Sequence, residues 1–99
     1  MNTKSYSTRR MPDNCDDELL VNVGDYTVRF IDGQPQGFQI RMPMISELGT
    51  LDYLPIEGAR YSAKGWKFTG TLDSPTLEPS LEIKGHWHGH LTSGRLVSC

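Results

Sequence analysis

The sequence has 99 residues, room for one small domain, and its 36% hydrophobic content, ten glycines and six prolines favour short strands and turns over long helices. Ten basic against twelve acidic residues give a formal charge of −2. That excludes the strong positive field of a nucleic-acid or anionic-membrane binder, and it is too small for an acidic mimic of DNA. No apolar run approaches the roughly 20 residues needed to cross a bilayer, and the N-terminal stretch carries no cleavage pattern, so a cytoplasmic protein with no membrane partner is expected. Cys15 and Cys99 are the only cysteines, and in that compartment they are expected to be free thiols rather than a disulfide framework.

Residues 1–17, MNTKSYSTRRMPDNCDD, are polar and lack apolar periodicity, so they read as a flexible N-terminal tail before a single β-rich domain over 18–99. Leu19–Val23 and Tyr26–Ile31 read as two strands around a tight Gly24-Asp25 turn, with Tyr26, Val28 and Phe30 sharing one face. Asp32-Gly33 starts a loop containing Pro35, and Gly37–Met42 alternates as a third, half-buried strand ended by Pro43. Met42, Met44 and Ile45 read as core filler. Ser46-Glu47-Leu48-Gly49 is a turn, Leu51–Ile56 is either an edge strand or an extended loop, and 57–65 is one helical turn or a loop.

Trp66-Lys67-Phe68-Thr69-Gly70 alternates large apolar with polar and predicts a strand anchored by Trp66 and Phe68 in the core. Pro75 and Pro79 fix φ at two points, so Ser74–Ser80 is expected to be a rigid connector. Leu81–Lys84 alternates again, and His86–Thr92, Ser93-Gly94 and Arg95–Val97 form a closing hairpin. The expected fold is all-β or β-rich α+β: a small curled antiparallel sheet or sandwich of about six to eight short strands.

His86, His88 and His90 alternate, so a strand would project all three from one face and Trp87, Gly89 and Leu91 from the other. Neighbouring members would lie about 6–7 Å apart and the outer two about 13 Å, so two imidazoles could share a zinc but three on a flat strand could not. A zinc site at His86 and His88 would need a third ligand, for which Cys99, Glu82 and Asp73 are candidates. Exposed histidines without a ligand and a polar recognition face are the other two readings of the same pattern. No Gly-x-Ser-x-Gly elbow, oriented cysteine or glycine-rich phosphate loop is present, so no catalytic residue is assigned and an enzyme is not expected.

Three stretches carry a family resemblance: Gly65-Trp66-Lys67-Phe68-Thr69-Gly70, Pro75-Thr76-Leu77-Glu78-Pro79-Ser80, and Trp87-His88-Gly89-His90-Leu91-Thr92-Ser93-Gly94-Arg95-Leu96. In order and spacing they resemble a family of small tailed-phage and prophage proteins of unknown function, sometimes mislabelled ammonia monooxygenase. Many of its members carry a Cys-Pro-x-Cys pair and a later Cys-His that look like a zinc site. Here the first is Met42-Pro43-Met44-Ile45 and the second is Trp87-His88, so the resemblance implies the fold but not that metal site, and no cofactor is expected. It further implies a phage accessory protein that binds a host protein or complex, with inhibition of a bacterial defence system such as a CRISPR complex as the expected role. The residues expected to meet that partner are Trp87, His86, His88, His90 and Arg95, because exposed aromatics and arginine dominate binding hot spots.

Overall fold

Tyr26, Val28 and Phe30 do share a face, as do Phe38, Ile40 and Met42, and these two rows form half of the core. The computed structural model describes residues 4–44, 49–59 and 65–99. Among these residues the chain forms nine strands: β1 Ser5–Ser7, β2 Arg9–Arg10, β3 Asp25–Ile31, β4 Gln34–Met42, β5 Thr50–Pro55, β6 Lys67–Gly70, β7 Pro75–Ile83, β8 Trp87–Thr92 and β9 Arg95–Ser98. They build a four-stranded sheet in the order β2-β3-β4-β5 and a five-stranded sheet in the order β1-β9-β8-β7-β6. All pairings are antiparallel except β2 with β3. The all-β class expected from composition is the class observed.

The two sheets share one core. Tyr26, Val28, Phe38, Ile40, Met42 and Leu54 come from the four-stranded sheet, and Leu77, Leu81, Leu91 and Leu96 from the five-stranded one. Phe38 sits at the centre of the joint: its ring lies 5.9 Å from Tyr26 on its own sheet and 5.6 Å from Phe68 of β6, both within the range of favourable tilted aromatic contacts. Two hairpins are closed by paired positive φ values, Asp32 at 51° with Gly33 at 76° and Ser93 at 47° with Gly94 at 73°. Both fit the tight turn whose twist matches the flanking strands, which is why Asp-Gly and Ser-Gly occur there.

Four expectations are corrected. Residues 4–17 are not a free tail: β1 pairs with β9, β2 pairs with β3, and the amides of Met11 and Asn14 donate onward to the carbonyls of Tyr26 and Val28. The ordering comes from main-chain bonds and polar side chains, which apolar periodicity does not register. Leu19–Val23 is not a strand; Asp17–Leu19 is a 3₁₀ turn, and Asp25 opens β3. Ser74–Ser80 is no connector between strands, because β7 runs through both prolines from Pro75 to Ile83. Its pairing with β8 skips register between Leu77 and Leu81, and a bulge of this kind lets Pro79 go without a ladder bond. Asp32-Gly33 makes a two-residue turn, and Pro35 lies within β4 opposite Phe30, at the register shift between Arg29 and Phe30.

Trp66 forms only an isolated bridge to Ile56 before β6 begins, and Leu51–Ile56 resolves into the edge strand β5. Ile45, the turn residues Ser46 to Leu48, and 60–64 of the segment after β5 lie outside the described residues. Cys15 and Cys99 are both free. No helix among the described residues is long and apolar enough to cross a membrane.

Two polar groups inside this frame give opposite expectations. The Tyr26 hydroxyl donates 2.6 Å to the Leu72 carbonyl, fastening β3 to the turn before β7, and burial pushes its pKa up to about 12, so it remains a donor across the usual pH range. Tyr26→Phe should therefore cost about 1–2 kcal/mol in chemical denaturation, since the Leu72 carbonyl loses its partner. Asp52 pairs with Ile40 on the core-facing side of β5, and burial raises its carboxyl pKa. The folded state holds this proton more tightly than the unfolded chain, so the ionised form is a burden absent below the ordinary carboxylate range and growing as pH rises through the raised value. Asp52→Asn should melt with the wild type near about pH 3 and above it at neutral pH, measured by thermal unfolding across that range.

Candidate functional site

The outward face of the five-stranded sheet carries most of the residues that the sequence nominates. On β8, Trp87, Gly89 and Leu91 turn toward the core while His88, His90 and Thr92 are exposed, following the period of two that a strand imposes. Register continues the row across the sheet: His88 stands opposite Glu82 of β7, His90 opposite Val97 and Thr92 opposite Arg95 of β9. Beyond β9 come Ser5 opposite Val97 and Ser7 opposite Arg95 on β1. A single face therefore gathers imidazoles, hydroxyls, a carboxylate and a guanidinium.

Arg95 is the best-held member. Its Nη1 donates 2.9 Å to Ser7 Oγ and its Nη2 donates 2.7 Å to Ser5 Oγ, so the guanidinium is laid along the sheet rather than left to sample solvent. Two further bonds hold β1 in place at this edge: the Lys4 amide donates to Ser98 Oγ, and that hydroxyl donates back to the Lys4 carbonyl. These partners are 88 and 90 residues away from Arg95 in the chain, which is why sequence reading found Arg95 but not its clamp. His88 is held too, with Nε2 2.9 Å from Ser80 Oγ on β7.

The other candidates separate. His86 lies in the turn before β8, exposed and outside the alternating row, so the three histidines do not share one strand face. Trp87 is half-buried and packs against the core, and its indole nitrogen is buried without a hydrogen-bond partner among the described residues. Trp87 is thus a packing residue beneath the face rather than an exposed aromatic on it. Among the described residues no three His, Cys, Asp or Glu side chains gather into a group able to hold a metal ion. The Ser80 bond occupies Nε2 of His88, so a metal there would have to take Nδ1 or displace the serine.

The Trp87 ring also explains Gly89. A Cβ at that position would sit 2.5 and 2.6 Å from ring carbons of Trp87 and would run into the Val97 carbonyl, so only glycine lets the indole fold back under β8. Set against known proteins, the chain matches no family model, no curated protein and no solved structure.

Gly89→Ala should destabilise the fold by roughly 1–3 kcal/mol through overpacking, read as a lower denaturation midpoint with unchanged slope. His90→Ala, one residue along but exposed, should lie within about 0.5 kcal/mol of the wild type.

Proposed function

We propose that this is a non-enzymatic phage or prophage accessory protein that binds a host protein complex in the bacterial cytoplasm through the outward face of its five-stranded sheet. The target class is a bacterial defence complex, of which a CRISPR effector is the leading case. The phage assignment is supported by the motif order over residues 65–96, and the mode of action by the face itself. The observation that carries it is Arg95, fixed by Ser5 and Ser7 beside the exposed His88 and His90. A guanidinium already ordered in the free protein loses less freedom on association, and arginine is enriched among residues that dominate interfaces. His86, exposed in the turn before β8, borders the face without belonging to its row; Trp87 supports it from beneath.

The test is affinity capture from bacterial lysate with the tagged wild type and with a His88→Ala, His90→Ala, Arg95→Ala triple variant, with mass spectrometry and metal analysis of both eluates. One host complex should be recovered by the wild type and reduced at least about tenfold in the variant, while the variant still unfolds in one cooperative transition. Equal recovery by both proteins would overturn the assignment to this face. Stoichiometric zinc in the wild type, lost with His88, would replace it with the metal-site reading.

A further inference from the structure

The two sheets part along the side where β5 and β7 face one another. β6 pairs with β7 only as far as Glu78, so among the described residues Leu81, Glu82 and Ile83 have no strand on that side, and β5 is the edge of the other sheet. The gap leaves a cavity of about 200 Å³ whose walls include Met42, Leu54, Trp66, Leu81 and Ile83. A second hollow of about 260 Å³ is lined by Gly65, Trp66, Pro79 and Ser80, so Trp66 lines both. Trp66 Nε1 donates 3.4 Å to the Ser80 carbonyl, which ties the indole to β7.

Into the apolar part of this cleft the chain places one ionisable side chain from the core-facing row of β5, that of Asp52. Glu82 also lines the cavity, and among its described lining residues none is basic. An inward charge on an edge strand does discourage sheet-to-sheet aggregation, but that purpose does not require a cavity or an aromatic wall. The combination matches a cation with an apolar stem: methylenes against Met42, Leu54, Leu81 and Ile83, the charge against a carboxylate, and an indole able to interact with it. The cavity is below the roughly 300–1,000 Å³ of sites for drug-sized ligands, so the occupant is small.

We propose that this cleft is a binding site for a primary alkylammonium group, either a free small amine or the end of a partner's lysine side chain, with Asp52 as the charge partner and Trp66 as the wall. Its two defining residues, Asp52 and Trp66, do not belong to the sheet face proposed above, although Glu82 and Ser80 border both. Burial makes the Asp52 carboxylate reluctant to ionise, and a bound ammonium relieves that burden.

The two tryptophans provide the readout, because Trp66 lines the cleft and Trp87 does not. In a heteronuclear NMR titration at neutral pH, n-butylammonium should move the Trp66 indole N–H saturably, with a Kd on the order of 1 mM, and leave Trp87 in place. Asp52→Asn, which retains the shape and should fold at least as well, should weaken binding by at least about tenfold, and uncharged butan-1-ol should not saturate. An Nα-acetyl-lysine amide that binds as well as butylammonium identifies the side chain of a partner as the source, whereas its exclusion identifies a free amine; either supports the site. Equal binding by Asp52→Asn, equal binding of butan-1-ol, or no saturable shift at Trp66 would overturn it.

Discussion

Everything in this small domain depends on Phe38 touching both sheets. Its ring meets Tyr26 within the four-stranded sheet and Phe68 across the joint, and the leucines of β7, β8 and β9 complete the same core. Each buried aromatic removes about 150–250 Å² from water, worth several kcal/mol apiece, which in a chain of this size is a large share of the driving force. The outward face of the five-stranded sheet is ordered because its inward residues are fixed in this way. Leu91 and Leu96 are pinned inside, so their neighbours His90, Thr92, Arg95 and Val97 are fixed outside. Packing on one side of a strand thus creates the geometry available for recognition on the other.

The alternating strands and the closing hairpin were legible in the sequence because their signals are local: alternation over Tyr26–Ile31 and Gly37–Met42 and the Ser93-Gly94 turn each specify a structure within a few residues. The tight turn at Asp32-Gly33 was hidden by Pro35, which reads as a loop residue, and the Gly24-Asp25 pair mimics a hairpin that does not form. The N-terminal strands were not legible, since their order comes from distant partners. Arg9 pairs with Asp25, whose side chain is only 5% exposed and which also accepts from the Asn22 amide, and Thr27 Oγ1 donates to the Pro12 carbonyl. A polar stretch with no apolar period is stitched down by such bonds, and nothing in its composition announces it. The same stretch explains why Asp25 and Thr27, on the face opposite Tyr26 and Val28, are nevertheless buried.

For the site the division is similar. Alternation alone placed Trp87 on the opposite side of β8 from His88 and His90, and the structure agrees; that placement favours packing over contact, which the hot-spot preference for tryptophan obscured. The serine clamp on Arg95 and the cleft beside Trp66 arise only when residues from both ends of the chain, or from two sheets, meet. Asp52 illustrates the limit most clearly. In the sequence it is one acidic residue in a short apolar run, and only the register with Ile40 reveals that it faces inward.

The chain crosses between the sheets within a few residues at its N-terminal side: β1 covers the outer edge of β9, and after Thr8 β2 covers the outer edge of β3. One short segment therefore shields two edges at once. Were it displaced, both would expose unpaired amides and carbonyls, and each could accept the same segment from another molecule. Exchange of this arm between copies would produce a reciprocal dimer or an open chain with the native core intact, so the peptide that completes the monomer is also the element through which it could polymerise.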